Sequence, residues 1–120
     1  MITPSDKHVI GHGTVSGVTF NDKGSGPLHA GPANCFESYF MQDGQGRNKG
    51  FCAFSDLDGD KLFTEFTGTF TPQNGGTGTN EITGGTGKYA GASGSGPWRC
   101  KGSGTNGEFH CNQRLDYKLP

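Results

Sequence analysis

Three aspartates in five residues, Asp56-Leu57-Asp58-Gly59-Asp60, form the densest group of ligand-type side chains in the chain. Carboxylates at that spacing can converge on one hard cation, so the three are a calcium candidate. The pattern departs from an EF-hand: Gly59 comes fourth in the loop rather than sixth, and the twelfth position is Thr67 instead of Glu. A hairpin turn with Asp-Gly at its tip and solvated carboxylates accounts for the same residues more simply. No cofactor is therefore expected. The Gly87-Lys88 step does not open a phosphate loop, because Ile82 and Tyr89 stand where Gly and Ser or Thr belong. No G-x-S-x-G elbow occurs either.

Proton chemistry, if the chain performs any, points to Glu37 with His12. A mid-strand carboxyl taken out of water beside an imidazole can act as a general acid or base near neutral pH. Alternation puts Glu37 on one side of its strand with Cys35, Tyr39 and Met41. On the first strand Ile10, His12, Thr14, Val18 and Phe20 share a face, which could bring His12 inward as well. Tyr39 could donate a hydrogen bond to a carbonyl or phenol, and Trp98 could stack on a flat guest. Gln113 is a polar exception on the apolar side of the last strand. The opposite orientation of residues 34–40 stays open, with Phe36 and Phe40 as core and Glu37 at the surface.

Four cysteines, Cys35, Cys52, Cys100 and Cys111, allow three pairings. None has the C-x-x-C spacing of a zinc ribbon or a redox motif, although a four-thiolate zinc site is not excluded by count. Alternation places Cys100 and Cys111 on one face of one hairpin, and Cys35 and Cys52 flank a turn in the same way. Two disulfides, 35–52 and 100–111, imply an oxidising compartment. The chain is then the mature form of a secreted or periplasmic protein, since Met1 to Ile10 contains Pro4, Asp6, Lys7 and His8 and not an apolar signal core.

The elements that must hold these residues are strands. Runs of β-type residues alternate with turn clusters. Strands are expected at His8 to Phe20, Leu28 to Gly31, Asn34 to Met41, Phe51 to Ser55, Lys61 to Thr71, 81–83, 88–100 and Glu108 to Leu119. Turns are expected at 21–27, 43–46, 58–59, 72–76 and 102–107. In the last strand Phe109, Cys111, Leu115 and Tyr117 fall on one side and Glu108 on the other; Glu65 should face outward from its strand. The 23 Gly and 6 Pro punctuate every window long enough for a helix. Aliphatics are scarce (three Ile, three Val, five Leu), so the nine Phe must serve as core material. A net charge of −1 argues against disorder and leaves no basic surplus for nucleic acid. No apolar run approaches the roughly 18 residues of a membrane span. The expected fold is all-β: one domain over residues 1–120, an up-and-down antiparallel barrel of about eight strands, closed so that no edge is exposed.

Residues 82–94, Ile-Thr-Gly-Gly-Thr-Gly-Lys-Tyr-Ala-Gly-Ala-Ser-Gly, are the most distinctive segment. The segment resembles the glycine-rich strand–turn–strand signature of the allene oxide cyclase and dirigent barrels, in which Gly-Gly-Thr/Ser-Gly is followed by an aromatic and then Gly-Ala-x-Gly. It is also similar to small exported bacterial proteins that pair an Asp-x-Asp-Gly-Asp turn with such a segment. The resemblance implies an eight-stranded barrel, a homotrimer or homodimer, holding a small hydrophobic or phenolic molecule and steering an isomerisation, cyclisation or lyase step without a cofactor. The alternative is an exported, non-catalytic structural or protein-binding module. An enclosed aromatic-lined pocket above roughly 300 Å³ would favour the first and a filled lumen the second.

Overall fold

The computed structural model describes residues 2–5, 8–24, 28–71, 75–102 and 109–119. Nine strands follow one another: β1 (Ile2–Ser5), β2 (His8–Thr19), β3 (Gly31–Gln42), β4 (Gln45–Ser55), β5 (Lys61–Thr71), β6 (Gly75–Gly85), β7 (Ser93–Gly102), β8 (Phe109–Gln113) and β9 (Asp116–Lys118). A single 3-10 turn, Gly87–Tyr89, interrupts the run between β6 and β7. From β2 to β8 each strand pairs antiparallel with its predecessor in an up-and-down meander, and β9 pairs, like β8, with β7. The all-β expectation and the meander hold. Among the described residues the pairings form an open path from β1 to β8, and the pairing that would close a barrel is not among them. The expected turn at 72–74, the 103–107 part of the last turn, and the sides of Glu108 and Phe109 fall outside what is described.

Several boundaries differ from expectation for local reasons. Of the strand expected at Leu28 to Gly31 only Gly31, the first residue of β3, is strand: Leu28 and Ala30 both have φ of 59°, a left-handed geometry that strands do not use. β4 starts at Gln45, directly after the turn at Asp43 and Gly44, so the β3–β4 hairpin is longer than its apolar residues indicate. β6 starts at Gly75 and so takes in Gly75 and Gly76, which read as the end of a turn. Residues 87–89 belong to the 3-10 turn and not to the strand that follows.

The core lies on one side of this sheet. In β5, Leu62, Thr64 and Phe66 are buried while Lys61, Phe63, Glu65 and Thr67 face solvent. No second sheet or long helix is present among the described residues, so the strands must curl around their own side chains. They do so by laying rings on glycines. Tyr39 opposes Gly11 in register, Phe70 opposes Gly46, Phe66 opposes Gly50 and Trp98 opposes Gly78. At Gly11 and Gly46 an added Cβ would run into the opposing ring itself. At Gly50 it would meet the Phe36 carbonyl and the Phe66 ring, and at Gly78 the Thr67 carbonyl and the Trp98 indole. Much of the glycine content is thus inner-face packing space, with no turn involved.

Cys35 is bonded to Cys52 and Cys100 to Cys111, each pair directly opposite in register. The expected pairing is the observed one, and no described cysteine is free to serve as a thiolate ligand.

Two glycine substitutions test the packing by their opposite signs. Alanine at an ordinary strand glycine stabilises by about 0.5–1 kcal/mol. Gly13→Ala should do so, since nothing lies within 4 Å of its added Cβ. Gly50→Ala should instead destabilise by about 1–3 kcal/mol through overpacking. Urea unfolding of the two variants checks this, and a stabilising Gly50→Ala refutes the ring-on-glycine account.

Candidate functional site

The β4–β5 turn and the glycine-rich segment, far apart in sequence, form one unit. Within the turn the Asp56 N–H donates to the Asp60 carbonyl (2.8 Å) and the Gly59 N–H to the Asp56 carbonyl (3.0 Å). The Asp60 N–H donates to Asp58 Oδ1 at 3.0 Å. Lys88 then brings its Nζ to 2.5 Å from Asp56 Oδ2, 2.7 Å from Asp58 Oδ2 and 3.5 Å from Asp60 Oδ2. The Lys88 N–H donates to Asp60 Oδ2 (3.1 Å), and the Tyr89 hydroxyl to Asp56 Oδ2 (2.7 Å). Asp56 Oδ1 accepts the Leu28 N–H at 2.6 Å. Gly87 has φ of 55°, and a Cβ there would strike the Asp60 carboxylate. The three aspartates do converge on a cation, but it is the ammonium of Lys88. The calcium candidate gives way to an internal ion cluster, and no described group of His, Cys, Asp and Glu is arranged to hold a metal.

The cluster perturbs its own members. Burial alone would raise the Asp56 carboxyl, but hydrogen bonds from Lys88, the Leu28 N–H and Tyr89 outweigh it and hold the group below the ordinary aspartate value. Asp58 is lowered by its bond from Lys88. Lys88 is raised by its bonds to Asp56 and Asp58, and Tyr89 is raised by burial and then by the Asp56 carboxylate. These groups are locked in their ordinary charge states, which suits a clamp and not proton transfer.

The inner face carries most of the other expected residues. Cys35, Glu37, Tyr39 and Met41 are half-buried while Phe36 and Phe40 are exposed, so the strand is oriented with Glu37 inward. Asn48 Nδ2 donates to Glu37 Oε1 at 3.2 Å. Asn80 is buried, and its Nδ2 donates to Gln113 Oε1 at 2.8 Å. His12 is opposite Ser38, whereas Glu37 is opposite Gly13. The pairing parity puts His12 on the outer face, and the Glu37–His12 acid–base pair does not form. Trp98 is 9% exposed, packed edge-on against Phe66 and laid over Gly68 and Gly78, so it offers no free ring face to a guest. Tyr39 is likewise engaged, edge-on to Phe70. Asn48 and Asn80 were not anticipated. Their signal is parity: each stands on the buried side of its strand. Asn48 Oδ1, Thr64 Oγ1 and Trp98 Nε1 are buried without a hydrogen-bond partner.

The outer face of β2, β3 and β4 is the open one. His12, Phe36 and Phe51 form a stacked ladder across the three strands, with ring centroids 6.1 and 5.7 Å apart. Phe51 is 59% exposed and Phe36 41%. Beside the ladder lie two depressions open to solvent, of about 390 and 320 Å³, which share Phe40 and Arg47. Phe40 and Arg47 are a cross-strand pair.

No protein-family model, curated protein or solved structure matches the chain.

The ion cluster sets a pH signature. The depressed carboxyls of Asp56 and Asp58 contribute stability that is complete above the unfolded aspartate value, near about 4, and is lost as pH falls through their folded-state values. Thermal melts from neutral to strongly acidic pH should show that loss. Asp56→Asn should cost about 1–3 kcal/mol at neutral pH, because it weakens buried bonds to Tyr89 and Leu28, and should flatten the acid limb. An unchanged acid limb in this variant counts against the cluster as its origin.

Proposed function

We propose that the chain is a non-catalytic binding module of an oxidising, extracytoplasmic compartment, and that it takes a small hydrophobic or aromatic molecule on the outer face of β2–β4. One observation carries the reading: exposed rings and open depressions lie on this face, while the other side of the sheet is filled by its own aromatics. The depressions are shallow and open to solvent rather than enclosed. The two disulfides suit secretion or the periplasm. No helix among the described residues is long and apolar enough to cross a membrane.

A second reading rests on the unpartnered polar atoms of the inner face. It keeps the resemblance to the allene oxide cyclase and dirigent barrels. Closure of the sheet, with assembly as a homotrimer or homodimer, would enclose Glu37, Asn48 and Tyr39 around a guest and make Glu37 the acid–base group of an isomerase or lyase. In that case Glu37→Gln lowers turnover about 100-fold.

One pair of variants separates the two. A neutral dye, Nile red, should bind the wild type and Glu37→Gln equally. It should bind Phe36→Ser/Phe51→Ser weakly, although that variant stays folded at a cost of about 0.2–1 kcal/mol per cross-strand pair. Fluorescence titration beside a melting curve reads both. Loss of dye binding in Glu37→Gln, with full binding in the double variant, moves the site to the inner face.

A further inference from the structure

The smaller depression has chemistry as well as shape. Two rows cross the outer face there: Ile10, Phe40 and Arg47 in one, His12, Ser38 and Lys49 in the next. Ser38 is the small member among large neighbours, and the trough of about 320 Å³ lies over it. Ile10 and Phe40, 41% and 39% exposed, form an apolar wall. Arg47 and Lys49, two residues apart on β4, present both cations to the same side. Tyr39 and Asn48 border the trough through their backbone, since alternation sends their side chains to the inner face.

The two cations are uncompensated. The ion pairs among the described residues are made by Lys88 and Arg114, and neither Arg47 nor Lys49 takes part. Asp43 lines the larger depression together with Arg47 but makes no ion pair with it and does not border the smaller one, and Glu65 and Glu81 continue the row of Phe51. In a chain of net charge −1, two neighbouring cations outside every ion pair among the described residues are a local feature. They are also too few to bind a polyanion by charge alone. A guanidinium fork matches a single carboxylate, and a planar apolar body fits the wall beside it.

We propose that this trough binds a small aromatic carboxylate, with the ring against Phe40 and Ile10 over Ser38 and the carboxylate on Arg47 and Lys49. This rests on the outer-face reading above and adds the ligand's charge. Hydrogen bonds to charged groups contribute about 1.5–3 kcal/mol, so removing the guanidinium should weaken binding about tenfold or more.

The probes are 2-naphthoate and its uncharged methyl ester, titrated into the full chain and followed by amide chemical shifts. Naphthoate should bind more tightly than the ester, shift the amides of β3 and β4 around Ser38 and Lys49, and weaken with added salt. Arg47→Gln should lose about tenfold in naphthoate affinity and leave the ester unaffected, whereas Arg114→Gln, an exposed cation on the far edge, should change neither. Phe40→Ser should weaken both probes, with a melting curve showing that the fold persists. Equal affinity for ester and naphthoate at this face overturns the carboxylate assignment while leaving the outer-face reading intact. Shifts confined to the inner face, or no binding of either probe, overturn both.

Discussion

A single curled sheet has to bury one of its faces without a second layer to press against, and this constraint organises the molecule. The solution is a large ring on one strand opposite a glycine on the next. Tyr39 over Gly11, Phe70 over Gly46, Phe66 over Gly50 and Trp98 over Gly78 repeat it across the sheet. Each ring covers its own strand and its neighbour's, so few large residues suffice. That explains how a chain with so little Ile, Val and Leu has a core at all. It also explains why the inner face is already occupied: the rings that line it are held by the glycines beneath them.

The ion cluster does a different task. β5 and β6 shift register between Phe63 and Thr64, and beyond that point the ladder alone does not determine where the 3-10 turn lies. Thr86 answers Lys61 with two bonds, Lys88 balances three carboxylates, and Tyr89, 1% exposed, closes the cluster from the core side. An ammonium on the chain occupies the place a bound cation has in a calcium loop. The acidic turn and the glycine-rich segment are two halves of one fastening.

The two faces of the sheet therefore have unequal prospects for function. On the inner one, Glu37 and Asn48 form a hydrogen-bonded pair, yet the aromatic platform expected of Trp98 is spent on packing. On the outer one, rings stand exposed in a ladder, and unpaired cations flank a trough. The interior is filled, and the exterior is open and chemically mixed.

Much of this was legible in the residues. The period-2 pattern of Lys61–Thr71 reproduced β5, because burial on one side imposes alternation locally. The same alternation paired the cysteines, since each pair flanks one hairpin. Apolar content misled on β2, where the large residues Ile10 and Val18 face out and the inward side is Gly11, which is buried, with the half-buried Gly13 and Val15. A glycine counts as core only when a ring from another strand covers it, and no property of β2 itself says that one does. For the same reason Gly75 and Gly76 read as a turn and are strand. Alternation by itself determines which side chains share a side. Which side is inner, that His12 and Glu37 part, and that residues 56–60 meet Lys88 were decided by strand register and curvature. Those are set by contacts between strands distant in sequence, and a one-residue shift in register would exchange the faces.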